Sequence, residues 1–474
     1  MTMHFFWLTV VMDEPGGVGR PAPLRSRSQL GGANRGVPDI VIDTDHRGLP
    51  HIPATSFAGA LRARVREKAP EHETAWFGKV SGDAATASSI WVLGSRLLDE
   101  NRGWAAGPVT PHTTTTTAIN RHTGAAAVNT LRVTETLPAG TTFSVYLRWD
   151  TDGPITGLVE CLSGWRPLIG GSTSTGHGYC RVTEVRTGTL DLADPEDLAR
   201  WLTESGPRLV QNVAWDNQPL TVARSSTIGY AVTLTTTGPL TFSLTADGKL
   251  NSRSLPGPSI KGVIRSRMEY ILRSVGLLEP NKCGGTGCGA CLVCQVFGHS
   301  TKDRRQRRGS VGQRARLRTV DAAVSGQLRL RTHVPLDRFT GGAAMASKDE
   351  PRVYVAGHRG GLLHTVEGIE QGELTLRFMG ELPDHLVAGF EALLVLVLND
   401  LDDDLFGLGR ATTRGYGGVR VTAALRPDGT SLPSLAEAQT WLAHEVATAV
   451  AVTEAGDHSQ SEASDAGLVA GGGA

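Results

Sequence analysis

Long apolar runs are missing from this sequence, and none approaches the roughly 20 residues that cross a bilayer. The N-terminal stretch MTMHFFWLTVVMDEP also lacks the basic start and the cleavage site of a signal peptide. A net charge is absent too, because 47 basic and 47 acidic residues cancel and create no overall attraction to nucleic acid. We therefore expect a cytoplasmic protein without a membrane partner, in which any anion site is local.

Cysteine is scarce, with six residues in all, and four of them are crowded together at Cys283, Cys288, Cys291 and Cys294. In a reducing compartment such a cluster indicates a metal site more than disulfides. The spacing C-x4-C-x2-C-x2-C provides enough thiolates to close a tetrahedral site, which favours structural Zn²⁺ and leaves no position for a catalytic water. An iron–sulfur cluster is the alternative that the number of ligands leaves open.

What the sequence does contain is a set of motifs that occurs twice in the same order. The first copies are LPHIPATSFAGALRAR (49–64), INRHTGAAA (119–127) and a glycine loop, LIGGSTSTGHGYCRV (168–182). The second copies are LPGPSIKGVIRSR (255–267), LDRFTGGAA (336–344) and a glycine loop, GLGRATTRGYGGVRV (407–421). This recurrence predicts a duplicated module. We expect a first domain at 1–190, a linker with a short helix at 191–214, a second domain at 215–452 and a disordered polar tail at 453–474.

The first motif of each copy predicts a helix start that can bind an anion. Pro and Ser or Thr precede an apolar run, and the first turn of a helix has unpaired N–H groups. The candidate contacts to a phosphate backbone are Ser56, Arg62 and Arg64 in the first copy and Ser259, Lys261 and Arg265 in the second. The alternative is an ordinary capped helix with solvated arginines.

The glycine loops predict a second kind of phosphate contact, since consecutive backbone N–H groups can surround an oxygen that no side chain blocks. The candidates are Gly170, Gly171, Ser172, Thr173, Gly176 and His177 in the first loop and Arg410, Thr412, Arg414 and Gly415 in the second. A Gly- and Pro-rich loop with Arg25 and Arg27, and the basic run KDRRQRRGSVGQRARLR (302–318), also indicate a polyanion partner. Surface ion pairs are the alternative for the loop arginines.

These motifs resemble those of the RAMP superfamily, the backbone subunits of type III CRISPR effector complexes. IPATSFAGALR and LPGPSIKGVIR are similar to the family's IPGSSLKGxLR segment. NRHTGAAA and DRFTGGAA, which contain Arg121 and Arg338, are similar to its DRxTGxA stretch. The glycine loops resemble its C-terminal G-rich loop, and the cysteine spacing followed by FG resembles its zinc-binding insertion.

The resemblance implies an α+β fold with two tandem ferredoxin-like (RRM-like) RAMP domains and a zinc-binding insertion in the second. Each domain is expected to carry a thumb hairpin, at 103–129 and at about 339–363. The implied partners are a guide RNA, a complementary target RNA and other type III effector subunits. The tandem fusion resembles the arrangement of type III-D complexes.

The family also implies a ribonuclease centre, because an Asp between the first strand and the first-motif helix cleaves the target RNA. Asp39 falls where D-x-P-x-x-x-D-x-x-G-x-P places that residue, although Val41 replaces the Pro, and Asp43 and Asp45 are alternatives. Such a carboxylate can accept the proton of a 2′-OH or hold Mg²⁺ or Mn²⁺. The second copy offers only Asp247, close to its helix, so we expect that copy to bind RNA without cutting. A non-catalytic RNA-binding scaffold is the competing interpretation, and two RRM-like modules acting on cellular RNA are a third.

Overall fold

In the computed structural model the chain divides into two units, each of mixed α and β structure. The first unit contains Met1–Ala118 and Val128–Thr227, and the second contains Ile119–Ala127 and Ile228–Ala474. The structure describes residues 2–22, 38–81, 84–99, 101, 103–105, 109–120, 127–128, 130–204, 206–216, 229–242, 248–250, 252–278, 288–299, 312–342 and 364–467. Arg25, Arg27, Arg121, Asp247 and Cys283 lie outside these ranges, as does most of the basic run.

The first unit mixes strands and helices along the chain. In order they are β1 (Thr2–Met12), β2 (Gly19–Pro21), β3 (Ile40–Ile42), α1 (Ala54–Lys68), α2 (Glu73–Phe77), β4 (Lys79–Ser81), β5 (Ala84–Thr86), β6 (Ile90–Leu97), β7 (His112–Thr116), β8 (Arg132–Thr136), β9 (Thr142–Asp150), α3 (Thr156–Leu162), β10 (Cys180–Asp191), α4 (Pro195–Thr203) and α5 (Pro207–Asn212). Four strands form an antiparallel sheet in the order β10-β1-β9-β6. A second sheet has the order β2-β3-β8-β7, in which β3 and β8 are parallel.

The core of the first unit lies between α1 and one face of the larger sheet. Phe57, Leu61 and Val65 recur every fourth residue and form one stripe of the helix. They pack in one cluster with Phe6 and Leu8 of β1, and all five side chains are fully buried. Each fully buried apolar side chain stabilises the fold by roughly 1.5–3 kcal/mol relative to an exposed one.

The opposite face of this sheet, here called the outer face, is partly covered by the segment after β10. Asp194 caps α4 by accepting the N–H of Glu196 at 2.9 Å, as its position before Pro195 predicts. Leu209 and Val213 then pack against Phe5 and Leu190. Residues of the predicted linker therefore pack onto the first unit.

The second unit repeats this plan. Its elements are β11 (Gly229–Thr236), β12 (Ser254–Leu255), α6 (Gly257–Ser274), α7 (Leu292–Phe297), β13 (Arg318–Thr319), β14 (Ala322–Ala323), β15 (Gln327–His333), β16 (His364–Glu370), β17 (Glu373–Met379), α8 (Asp384–Asp402), β18 (Val419–Leu425) and α9 (Leu435–Gly467). The main sheet has the order β18-β11-β17-β13, and β15 pairs with β16 in a separate ribbon.

A shared irregularity relates the two main sheets. The register of β1 against β10 shifts between Thr9 and Val10, and the register of β11 against β18 shifts between Thr233 and Leu234. In both units the bulge lies between the first and the last strand of the sheet. A bulge is a specific local feature, so its recurrence supports the duplication that the motifs predict.

The last helix differs from the sequence-based expectation. It continues to Gly467, past residue 453, where the composition predicts a disordered tail. Once a helix is nucleated, each added residue gains one hydrogen bond, so a polar segment can extend it. Among the described helices, none combines the length and the apolarity needed to cross a membrane.

Candidate nucleic-acid interface

The two glycine loops have the same backbone conformation. Positive φ angles occur at Gly170 (93°), Ser172 (56°), Gly176 (92°) and Gly178 (69°) in the first loop. They recur at Gly409 (84°), Ala411 (57°), Gly415 (81°) and Gly417 (78°) in the second. A 3₁₀ turn follows the second of these positions in each loop, at Thr173–Thr175 and Thr412–Arg414. Each loop is therefore held in a defined shape, with one non-glycine residue in the left-handed region at a cost of about 1–2 kcal/mol.

Two glycines in each loop are required by close backbone contacts. A Cβ at Gly178 would overlap the carbonyl oxygen of Ile169, and one at Gly417 would overlap that of Leu408. Gly170 and Gly409 likewise lie against the backbone that follows the first strand of their unit, at Gly17 and Thr241. The loops therefore pack against the chain between the first strand and the first-motif helix.

The two loops differ in which residues they expose to solvent. Gly170, Gly171 and Ser172 are exposed, Thr173 and His177 are half-buried, and Gly176 is buried. In the second loop Arg410, Thr412, Arg414 and Gly415 are all exposed. Both loops present backbone to solvent, and the second also presents two guanidinium groups that can contact phosphate.

Asp39 lies at the start of β3 and is tied to the neighbouring strand β8. Its Oδ2 accepts the N–H of Val133 at 3.0 Å, and its own N–H donates to the carbonyl oxygen of Val133 at 2.7 Å. The side chain is half-buried. The structure thus brings Asp39 to the smaller sheet, whose strand β7 lies within the predicted first thumb.

Asp43 lies at the other end of β3, between two basic side chains. Its Oδ1 is 3.5 Å from Nε of Arg20, and its Oδ2 is 3.5 Å from Nε2 of His51. Its N–H donates to the carbonyl oxygen of Val18, the residue after Gly17. Because Gly170 packs on Gly17, Asp43 is the acid whose backbone lies next to the glycine loop.

Asp45 closes the turn before α1. Its Oδ1 accepts the N–H groups of Arg47 at 2.9 Å and Leu49 at 3.0 Å. Burial by itself raises the pKa of Asp45, but these N–H groups and the Arg47 guanidinium lower the pKa overall. This role in the turn makes Asp45 the weakest of the three candidate acids.

The arginines of α1 and α6 that are predicted to contact RNA have protein partners. Arg62 donates to Oε1 of Glu73 at 2.8 Å and to the carbonyl oxygen of Gly78 at 3.2 Å. Arg265 occupies the same position in the second unit and donates to the carbonyl oxygen of Gly298 at 2.8 Å. Each arginine thus holds in place the glycine that follows the next short helix, Gly78 after α2 or Gly298 after α7.

Arg265 is also buried, with 8% of its surface exposed, and donates to Glu269 at 2.9 Å. Arg64 donates to the carbonyl oxygen of Cys161 at 3.1 Å. The guanidinium groups predicted to contact RNA at these positions therefore bind protein groups. Neither helix has a side-chain N-cap; at their first turns Ser259 is exposed, and Ser56 and Lys261 are half-buried.

A turn after β15 presents two side chains to solvent. Asp337 Oδ1 accepts the N–H groups of Phe339 and Thr340, both at 2.8 Å, and these bonds lower the pKa of Asp337. Arg338 is exposed, and Phe339 is 99% exposed. The aromatic ring and the guanidinium next to it are therefore both available to a partner.

Three of the four clustered cysteines lie together. The sulfur atoms of Cys288, Cys291 and Cys294 are within 4.8 Å of one another. The N–H of Cys291 donates to Sγ of Cys288 at 3.3 Å, and that of Cys294 donates to Sγ of Cys291 at 3.4 Å. Arg265 donates to Sγ of Cys294 at 3.4 Å. Donors directed at sulfur suit thiolates, so this cluster could hold a metal ion such as zinc.

A protein-family model decides which family this arrangement represents. The model of the RAMP superfamily matches residues 16–181 and 210–420. The chain belongs to the RAMP superfamily. Its two matched segments carry the two glycine loops, so the family model and the repeated backbone geometry agree on the duplication.

Other comparisons with this RAMP-superfamily chain are weak. A chain of the cryo-EM structure of type III-B Cmr-beta in the apo state is 11% identical, with 38% of this chain and 96% of that chain covered and a TM-score of 0.29. No curated protein sequence matches.

Sequence reasoning missed a pair of equivalent acids in this RAMP chain. Glu135 on β8 accepts the N–H of Ile42 at 3.0 Å, and Glu367 on β16 accepts the N–H of Leu250 at 2.8 Å. Both bonds fix the segment that leads to the first-motif helix. The available sequence signal was their shared spacing, since each Glu lies two residues before an apolar residue, Leu137 or Ile369. In the structure that apolar residue is bridged to the chain after the first strand. His51 beside Asp43 and the exposed Phe339 were also missed.

Proposed function

We propose that this chain is a guide-RNA-binding backbone subunit of a type III CRISPR effector complex. The strand orders β10-β1-β9-β6 and β18-β11-β17-β13, with helices after the first and third strands of each sheet, support two ferredoxin-like modules. The observation that carries the proposal is the doubled glycine loop. A backbone fixed in one conformation in both units gives each unit an equivalent phosphate site.

Exposed side chains of the second unit strengthen this RNA contact. Arg410 and Arg414 supply charge, while Arg338 and Phe339 extend from the turn after β15. An exposed aromatic ring can stack on a base or separate two bases, and the adjacent guanidinium can contact phosphate. The ribbon of β15 and β16 is the base of the proposed second thumb.

In the same proposal, the first module cleaves the target RNA. Asp39 is the first candidate, because it matches the family position and lies on the sheet that contains β7 and β8. Its carboxylate would accept the proton of the attacking 2′-OH or hold Mg²⁺ or Mn²⁺ at the phosphate. Asp43 is the second candidate, since His51 and Arg20 beside it could move a proton and offset developing charge.

We also assign a structural zinc ion to the cysteine cluster. Cys288, Cys291 and Cys294 would hold it, and Cys283 would complete the four ligands. Zinc would fix the segment before α7, and the bond from Arg265 would link the site to α6. Inductively coupled plasma mass spectrometry of the purified chain should find one zinc per chain, and Cys291→Ser should remove it. Iron with sulfide in place of zinc would contradict this assignment.

Sequencing of the RNA that co-purifies with the chain tests the first part of the proposal. The expected RNA carries CRISPR-repeat-derived sequence at a common end. The double variant Arg410→Gln with Arg414→Gln should recover less of it, whereas Arg420→Gln, at an exposed position on β18 beyond the positive-φ glycines, serves as a matched control. Recovery of unrelated cellular RNA alone would favour the reading as independent RRM-like modules.

A catalytic assay on the assembled complex tests the second part. Asp39→Ala should abolish cleavage of complementary RNA while guide RNA is retained, and Asp45→Asn should mainly destabilise the turn. If Asp43→Ala abolishes cleavage and Asp39→Ala does not, the catalytic residue is Asp43 and not Asp39.

A non-catalytic scaffold is the second candidate, favoured by the bond between Asp39 Oδ2 and the N–H of Val133. A carboxylate used to join β3 to β8 needs no chemical role. Titration with EDTA and then Mg²⁺ separates the two, because a scaffold gives no metal-dependent product.

A further inference from the structure

The outer face of the first unit carries a cleft of about 500 Å³, away from the glycine loop and the candidate acids. Four aromatic rings from distant parts of the chain line it: Phe5 on β1, Trp104, Tyr146 on β9 and Trp201 on α4. Ligand clefts commonly have about 300–1,000 Å³ and combine apolar walls with a few polar groups. This cleft has that size and that composition.

The rings are held in place by bonds and contacts to their neighbours. Nε1 of Trp104 donates to the hydroxyl oxygen of Tyr146 at 3.0 Å, and the two rings meet edge to face. The guanidinium of Arg148 lies 5.4 Å from the ring centre of Trp201 and forms an ion pair with Asp150 at 2.9 Å. The walls are thus preorganised, and the charge of Arg148 is already balanced.

Two charged groups in the cleft can each accept a further partner: the guanidinium of Arg96 and the carboxylate of Glu204. Arg96 stacks 4.8 Å from the ring centre of Trp104 and has no carboxylate partner among the described residues. Oε1 of Glu204 accepts a bond from Asn212 at 2.9 Å, but its buried Oε2 has no hydrogen-bond partner in the described part of the chain. A buried acceptor without a donor is unfavourable, so a ligand that supplies a donor is favoured there.

The geometry points to a site for an unpaired nucleobase of single-stranded RNA, with guanine preferred. A nucleotide can contact the aromatic walls, Glu204 and Arg96 at the same time. Its flat ring stacks on aromatic walls, its amino edge donates to Glu204, and its phosphate pairs with Arg96. Guanine offers two adjacent donors to a carboxylate, adenine and cytosine offer one amino group, and uracil places carbonyl oxygens beside its single N–H.

Other occupants fit these groups less well. A cationic side chain would suit the rings and Glu204, but Arg96 would repel it. An aliphatic anchor of a partner protein would fill the volume and contact the exposed rim at Leu93 and Leu202, but it would leave Glu204 without a donor. The nucleotide is the occupant that satisfies both charges.

Fluorescence titration of the full chain with GMP, AMP, CMP, UMP and guanosine tests the site, because two tryptophans line it. GMP is expected to bind most tightly and UMP most weakly. Arg96→Met should reduce the affinity for GMP to that for guanosine. Glu204→Gln, which keeps the shape of the side chain, should remove the preference among bases. Arg186→Met and Glu184→Gln on β10 are matched controls outside the cleft and should change neither property.

The outcomes separate this site from the guide-RNA proposal. Equal affinity for all four nucleotides, or unchanged binding by both cleft variants, overturns the inference. Tight binding of N-acetyltryptophanamide with no binding of nucleotides would make the cleft a peptide pocket and also overturn it. Thermal unfolding checks that each variant is folded, and recovery of guide RNA by the cleft variants should be unchanged even where nucleotide binding is lost.

Discussion

The two units share one backbone plan but use its surfaces differently. Strand order, the bulge, the φ pattern of the glycine loop and the bond from an arginine to a glycine carbonyl all recur. A helix also follows the last strand of each sheet, but its packing differs. In the first unit α4 and α5 cover part of the outer face, whereas in the second unit Trp441 of α9 packs against Gly389 of α8. The path of one helix therefore decides whether a module can form a cleft.

Equivalent residues on the outer faces of the two main sheets show how the units differ. Counting from the shared bulge, Trp7 of β1 corresponds to Ala231 of β11. Trp7 is paired with Tyr146, whereas Ala231 is paired with Arg377. Only the first of these pairs can contribute to an aromatic wall. Duplication preserved the features that set the backbone, and the side chains that face outward diverged.

The anchoring arginines should give the largest difference between the units. Arg265→Met leaves Glu269 buried without its main partner, so we expect a loss of about 3–5 kcal/mol in the stability of the second unit. The equivalent Arg62→Met breaks a partly exposed contact and should cost less than about 1 kcal/mol in the first. Hydrogen exchange of α6 and α1 peptides resolves the two units. Equal losses would show that the second pair is not buried in solution.

The glycine loops should respond equally, with an intermediate effect. Gly178→Ala and Gly417→Ala each force a side chain into a left-handed position against a carbonyl oxygen, so we expect about 1–3 kcal/mol of destabilisation in each unit. Gly171→Ala is the control, because its Cβ would meet nothing within 4 Å and its φ is not positive. Chemical denaturation measures all three. A loss in one unit alone would break the equivalence of the loops.

Protonation of Glu73, in the first unit, should give the smallest effect. Hydrogen bonds from Arg66 and Arg62 lower the pKa of Glu73 to about 2. Ionised Glu73 therefore stabilises the folded state above its unfolded pKa of about 4.3, and this contribution is lost as pH falls toward 2. The urea midpoint of Glu73→Gln should depend less on pH between about 5 and 2 than that of the parent chain. An identical pH dependence would show that the ion pairs of Glu73 do not contribute to stability.

Local backbone rules explain what the sequence predicted well. Repeated glycines and a Pro before an apolar run constrain a few adjacent residues, so the duplicated modules and the starts of α1 and α4 were predictable. The role of Arg265 had a missed signal, since Glu269 lies four residues later on the same helix. The contact between Arg62 and Gly78 and the rings of the cleft join distant segments, so only packing reveals them.

The most direct test of the account is to map the cuts that the assembled complex makes in an end-labelled complementary RNA. We predict one cut for each copy of this chain, because only the first module cleaves, and complete loss of the cuts in Asp39→Ala. Two cuts for each chain, or the same cuts in Asp39→Ala, would contradict the division of roles between the two units.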